Sequence, residues 1–265
     1  MIEQPSSLIG PDDPPPYEVF NPDGKATVLL ACDHASRAFP EKMNCLGLEP
    51  RALRRHIASD IGSADAGREL ALFLDAPAVL AGYSRLVVDL NRHLDDPTAF
   101  LAVSDGEFIP GNHGLTAEEK ERRARDFFWP YHDAISHSLA AFEARGVVPA
   151  LISIHSFTPF FDERNRPWEI GILWDQDPRI PIPLIESLGR RGVCVGDNQP
   201  YSGRSPEDYT IDQHAEPAGL PHVSIEIRQD LLENEETARR FHKVLGEALT
   251  EVLKDEELYR VRSAD

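Results

Sequence analysis

Thr27-Val-Leu-Leu-Ala-Cys32, running directly into Asp33-His34-Ala35-Ser36, is the stretch from which the architecture reads. An unbroken apolar run of strand length, with no polar alternation, predicts a strand covered on both faces, as in a sheet held between helices. Similar short runs recur at Ala78–Ala81, Leu86–Leu90, Val148–Ile154, Ile170–Trp174, Val193–Val195 and Val223–Ile227. Helical patterns separate several of them. Arg51 to about Leu74 carries apolar residues at helical spacing, weakened by Gly62 and Gly67. Thr116 and Glu119 make a capping box that opens a long helix to Ala144, which Pro130 should kink or divide. From near Asn234, residues Phe241, Val244, Leu245, Ala248, Leu249 and Val252 form one apolar stripe. Strands alternating with helices predict a three-layer α/β fold with a mostly parallel sheet.

The 265 residues carry 27 Lys+Arg against 45 Asp+Glu, a formal charge of −18. Such a field opposes nucleic acid and anionic membrane surfaces as partners, and an acidic small substrate would need arginines placed at its site. No stretch approaches the ~20 continuous apolar residues of a membrane helix. The N-terminus has neither a basic start nor an apolar run, so no secretory leader is expected. Cys32, Cys45 and Cys194 lack metal-type spacing and read as buried free thiols of a reducing, cytoplasmic setting. Residues 1–24, rich in proline and acid with Pro14-Pro15-Pro16, read as an extended or disordered arm on a single domain over 25–265.

In sheets of this kind ligands gather beyond the carboxyl ends of the strands. The first run ends in Asp33-His34 and the run Val148–Ile154 in His155-Ser156. Leu86–Leu90 leads into Asn91-Arg92, with Arg85 just ahead, and Glu226 sits inside the last run, before Arg228. Two histidines at separate strand ends with carboxylates nearby have the composition of a metal hydrolase site. Catalytic zinc usually takes three protein ligands and keeps one position for water. Asp60 is the favoured third ligand, with Asp33, Asp89 and His56 as competitors. Each feature also has an ordinary reading: a hydrogen-bonded histidine, a salt-bridged loop, an edge-strand acid.

His34-Ala-Ser, the Asp60 segment, Tyr83-Ser-Arg-Leu-Val-Val-Asp-Leu-Asn-Arg92, Ile154-His-Ser156, His214 and Ser224-Ile-Glu-Ile227 resemble the N-formylglutamate amidohydrolase family in order and spacing. The likeness spans about residues 25 to 250. It implies kinship of fold with zinc carboxypeptidases and aspartoacylase, hence a three-layer α/β/α sandwich around a central mixed, mostly parallel sheet. It also implies roles: His34, Asp60 and His155 as Zn²⁺ ligands, Glu226 as general base and acid, and Arg85 polarising the scissile carbonyl. Asn91 and Arg92 would clamp a substrate carboxylate, for which the planar arginine fork is suited. The zinc peptidases use a glutamate close behind the first histidine, and this chain has none there. His214 would contact substrate or transition state, Tyr201 and Arg204 would line the pocket, and Phe160–Trp168 would form a loop selecting the side chain.

The expected activity is zinc-dependent hydrolysis of N-formyl-L-glutamate or a similar N-acyl amino acid, with that small molecule as partner. Another divalent transition metal would also fit. The alternatives are a zinc carboxypeptidase acting on short peptides and a non-catalytic metal- or ligand-binding relative.

Overall fold

The computed structural model describes residues 6–204 and 208–262; the first five residues of the expected arm, and the last three of the chain, lie outside them. The strands in chain order are β1 (Tyr17–Phe20), β2 (Val28–Cys32), β3 (Ala78–Ala81), the short pair β4 (Val103–Ser104) and β5 (Glu107–Phe108), and β6 (Ala150–Phe157). A second short pair, β7 (Phe160–Phe161) and β8 (Arg164–Asn165), precedes β9 (Ile170–Leu173), β10 (Val195–Asp197) and β11 (His222–Arg228). The helices are α1 (Ser63–Leu74), α2 (Ala117–Arg123), α3 (Trp129–Glu143), α4 (Pro181–Arg190), α5 (Tyr209–His214) and α6 (Glu235–Val252).

Seven strands form the central sheet in the order β1-β3-β2-β6-β11-β9-β10. The pairs β3–β2, β2–β6, β6–β11 and β9–β10 are parallel; β1 and β9 run antiparallel to their partners β3 and β11. Alternation along each strand divides the core in two. Val28, Leu30, Cys32, Ile152, Ile154, Val223 and Ile225 pack with α1, α4 and α6. Leu29, Ala31, Val79 and Leu151 face the opposite way, onto Phe128, Tyr131, Ile135 and the α5 residues Tyr209 and Ile211. The result is the expected α/β/α sandwich on a mixed, mostly parallel sheet.

Several elements differ from the sequence reading. Leu86–Leu90 is a buried loop rather than a strand: its amides bond locally, Val87 N to Ser84 O at 2.9 Å and Asp89 N to Ala99 O at 2.9 Å. Burial on all sides gives a loop the same apolar signature as a covered strand. The helical pattern from Arg51 breaks, with one short turn at Ala52–Arg54 and α1 beginning only at Ser63. Pro130 is accommodated by a π-helical turn at Ala124–Phe128, which carries the chain from α2 into α3. In the expected arm, Tyr17–Phe20 pairs with Ala78–Ala81 as an edge strand. Of the thiols, Cys32 is buried, Cys45 half-buried and Cys194 exposed. Among the described residues no helix is long and apolar enough to cross a membrane.

Candidate metal and catalytic site

On the α3/α5 face of the sheet, toward the carboxyl ends of β2, β6 and β11, the apolar alternation gives way to Ser153, His155, Ser224 and Glu226. His155 and Glu226 are register partners on adjacent parallel strands. His34 is the second residue beyond β2, and its carbonyl accepts the Asp60 amide at 3.1 Å, which draws the loop before α1 over the sheet. Ser63 closes that loop by donating its amide (3.1 Å) and its hydroxyl (2.8 Å) to the Asp60 carbonyl. Thus Asp60 hangs between the two histidines.

The geometry is specific. Asp60 Oδ2 lies 2.9 Å from His155 Nδ1 and 3.3 Å from His34 Nδ1, and the three buried groups each offer a ligand atom within 4.8 Å of the others. The far nitrogens are anchored by other carboxylates. His34 Nε2 is 2.8 Å from Asp89 Oδ1, and His155 Nε2 is 3.2 Å from Asp33 Oδ2 and 2.9 Å from Ser153 Oγ. A carboxylate on the remote nitrogen fixes ring orientation and leaves Nδ1 as the ligand atom, a recurrent arrangement around protein-bound metals. Asp33, buried, also accepts from Tyr131 Oη (2.7 Å) and Thr210 Oγ1 (2.8 Å).

Charge in the cluster is balanced internally. Arg85 donates Nε and Nη2 to Asp89 at 3.0 and 2.7 Å and Nη1 to Asp60 at 3.2 Å. Burial alone would raise these carboxyls; the charge of His34 acting on Asp60, and of Arg85 acting on Asp89, holds both well below the usual carboxylate range. Burial would likewise lower both histidines. The Asp89 and Asp60 carboxylates outweigh it at His34, and those of Asp33 and Asp60 do so at His155, so both rise above the ordinary value. Glu226 behaves differently. Its Oε2 is buried without a hydrogen-bond partner among the described residues, and burial, with Asp60 adding to it, pushes the carboxyl up to about 7 against His155, His34 and Arg85.

These groups line a cavity of about 170 Å³. His34, Asp60, Arg85, Asn91, Arg92, His155, Tyr201 and Glu226, all candidates from the sequence, border it. Two predicted site residues do not. His214 is not in the lining: its ring stacks on His132, with Nε2 3.0 Å from His132 Nδ1 and Nδ1 3.5 Å from Ser136 Oγ, a contact between α5 and α3. Arg204 lies over the Trp174 ring at 5.7 Å, outside the lining. Asp33 and Asp89 buttress the histidines rather than join the ligand group, and His56 faces Asp105 at 3.7 Å.

The lining also holds Ser202 and Gly203, inside the Tyr201–Arg204 segment read from the sequence as pocket wall, and Ser156, quoted there beside His155 without a role; Leu173 and Asp208 were missed. Asp208 caps the amino end of α5 by accepting the Ile211 amide and takes a hydrogen bond from Ser224 on β11. An acid directly before a helical run was the available signal. His132 was also passed over; its Nε2 donates to the Leu90 carbonyl at 2.9 Å, beside the Asn91-Arg92 pair.

A three-layer sandwich whose strand ends present a buried His-Asp-His group, a buried carboxyl with one oxygen unpartnered among the described residues, and a bordering arginine pair has the machinery of an amide-bond hydrolase. The family model for N-formylglutamate amidohydrolase matches residues 26–233. The chain belongs to that family, and it is an amidohydrolase. A Pseudomonas aeruginosa N-formylglutamate deformylase is 26% identical over an alignment of 202 positions that covers 69% of this chain and 74% of that protein. A gene product of Agrobacterium tumefaciens of known crystal structure superposes with a TM-score of 0.87 at 35% identity, covering 92% of this chain and 99% of the other. The fold is also shared with an N-formylglutamate amidohydrolase from Ralstonia eutropha, at a TM-score of 0.72 and 20% identity, covering 90% of this chain and 97% of that one.

Proposed function

We propose that this chain is a zinc-dependent deformylase that hydrolyses N-formyl-L-glutamate, or a closely similar N-acyl amino acid, to a carboxylate and a free amino acid. The observation that supports it best is the convergence of His34, Asp60 and His155, each offering a ligand atom within 4.8 Å of the others, beside a buried Glu226 whose Oε2 has no hydrogen-bond partner among the described residues. Two imidazoles and one carboxylate, each braced from behind, suit zinc and leave room for water. A zinc ion held there supplies a Lewis acid and lowers the pKa of water toward neutrality.

The remaining steps fall to the chain's own side chains. Glu226, unlike Asp60 and Asp89, is pushed up to about 7, so it suits taking a proton from water and returning it to the leaving amine nitrogen. Arg85 borders the cavity with three of its five N–H donors on Asp60 and Asp89, and its remaining edge suits the oxygen that gains charge during attack. Arg92, with Asn91 beside it, receives the substrate carboxylate. Thr210 N holds the Asn91 side-chain oxygen at 2.9 Å, which fixes the amide so that its NH₂ serves as donor.

Formate release from a panel of N-formyl amino acids, with metal content measured on the same preparation, tests the reading. Turnover that follows zinc occupancy and favours N-formyl-L-glutamate is expected. Activity confined to C-terminal peptide bonds, or fully retained after verified metal removal, overturns it. Arg92→Lys should raise KM about tenfold or more with a smaller change in kcat, because the two-pronged fork is lost.

A further inference from the structure

The proposed substrate has a second carboxylate, on its side chain, and the Asn91-Arg92 pair accounts for only one. Arg166 supplies the chemistry for the other. It follows the β7–β8 hairpin, and its backbone is tied down at both ends: its amide donates to Pro159 O at 2.9 Å, and its carbonyl accepts from Arg228 Nη1 at 3.5 Å. The half-buried guanidinium lies 4.8 Å from the Phe161 ring centre, 4.9 Å from that of Tyr201 and 5.9 Å from that of Phe157. Phe157 is two residues beyond His155 on β6, and Tyr201 borders the catalytic cavity. The slot therefore stands at the rim of the site.

Its hydrogen bonding is one-sided. Nη1 donates to Tyr201 Oη at 3.1 Å and to Thr158 Oγ1 at 3.3 Å, whereas Nη2 and Nε make no hydrogen bond among the described residues. Tyr201, accepting through its oxygen, keeps its own proton to donate, and no acceptor for it is present among the described residues. A polarised phenol beside a guanidinium with unused donors is a receptor for a carboxylate. The cavity wall itself contributes Asp60, Asp208 and Glu226, so a second anion entering it requires such a cation.

We infer that Arg166, acting with Tyr201, is the specificity-determining pair that recognises the side-chain carboxylate of an N-acyl acidic amino acid. This rests on the deformylase reading above and deepens it. The test compares kcat/KM for N-formyl-L-glutamate with that for its neutral isostere N-formyl-L-glutamine, in the zinc-loaded parent, R166M, R166K and Y201F. Methionine keeps an apolar stem in the aromatic slot, and lysine keeps the charge without the fork. The glutamate-to-glutamine ratio should fall about tenfold to a hundredfold in R166M, through KM, and less in R166K and Y201F, as expected for loss of a charge-assisted hydrogen bond. An unchanged ratio, or equal losses on both substrates in R166M and R166K, overturns the assignment and leaves Arg166 as a pin for the hairpin. A parent that releases formate from neither substrate overturns the deformylase reading instead, and this one with it.

Discussion

His155 Nδ1 lies 2.9 Å from Asp60 Oδ2, across 95 residues of chain, and that carboxylate oxygen also faces His34 Nδ1. A carboxylate wedged between two imidazoles with raised pKa values is stable without metal only while those rings carry protons. Metal and protons therefore compete for the same nitrogens. We expect Asp60→Ala to abolish stoichiometric zinc binding and lower turnover by several orders of magnitude. Parent protein should also lose zinc to a chelator faster as pH falls below neutrality. Elemental analysis after dialysis across pH checks both; full zinc retention in the variant removes Asp60 from the ligand set.

Asp33→Asn should weaken zinc about tenfold to a hundredfold while leaving all three ligands in place, because His155 Nε2 loses the carboxylate that orients it. Competition with a calibrated zinc chelator measures the shift. Asp33 also serves Tyr131 and Thr210, so a lower Tm is expected as well.

Glu226→Gln should lower kcat by about 10² to 10⁴ with zinc still bound, the usual worth of a positioned acid–base group. A separate signature appears in the metal-free protein. The Glu226 carboxyl is raised from an ordinary 4.5 to about 7 in the fold, so it favours the folded state below 4.5 and loses that contribution as pH rises through 7. The glutamine variant has no such dependence. Its Tm relative to the parent should climb between pH 4.5 and 7 and level off above. Calorimetry across that range decides it, and a flat difference contradicts a buried, protonated Glu226.

His214→Phe should leave kcat within about tenfold of the parent, because the ring contacts His132 and not the cavity. The lost part-buried hydrogen bond should cost about 1 kcal/mol and a few degrees of Tm. A thousandfold loss of kcat in a variant that stays folded would return His214 to the catalytic set.

Much of this was legible in the linear chain. Val28–Cys32, Ile170–Leu173 and His222–Arg228 are strands because their apolar runs are covered on both faces, and His34, His155 and Glu226 stand out as polar residues at or inside such runs. Leu86–Leu90 defeated the same rule because a loop buried beneath other loops must be equally apolar. The edge strand Tyr17–Phe20 was hidden behind a proline run, since its partner Ala78–Ala81 is remote in sequence. The contact of His214 with His132 was not legible for a different reason: position in a motif does not reveal which way a short helix rotates its last side chain.

The residues proposed to handle protons and those proposed to grip the substrate have unlike origins. His155 and Glu226 sit abreast on paired strands, so their separation is set by the ladder spacing of about 4.8 Å and cannot drift without unzipping the core. Asn91, Arg92, Arg166 and Tyr201 hang on connecting segments outside the strands. On that reading, changes confined to the peripheral loops would alter which acids are accepted and leave the strand-borne pair His155 and Glu226 in place.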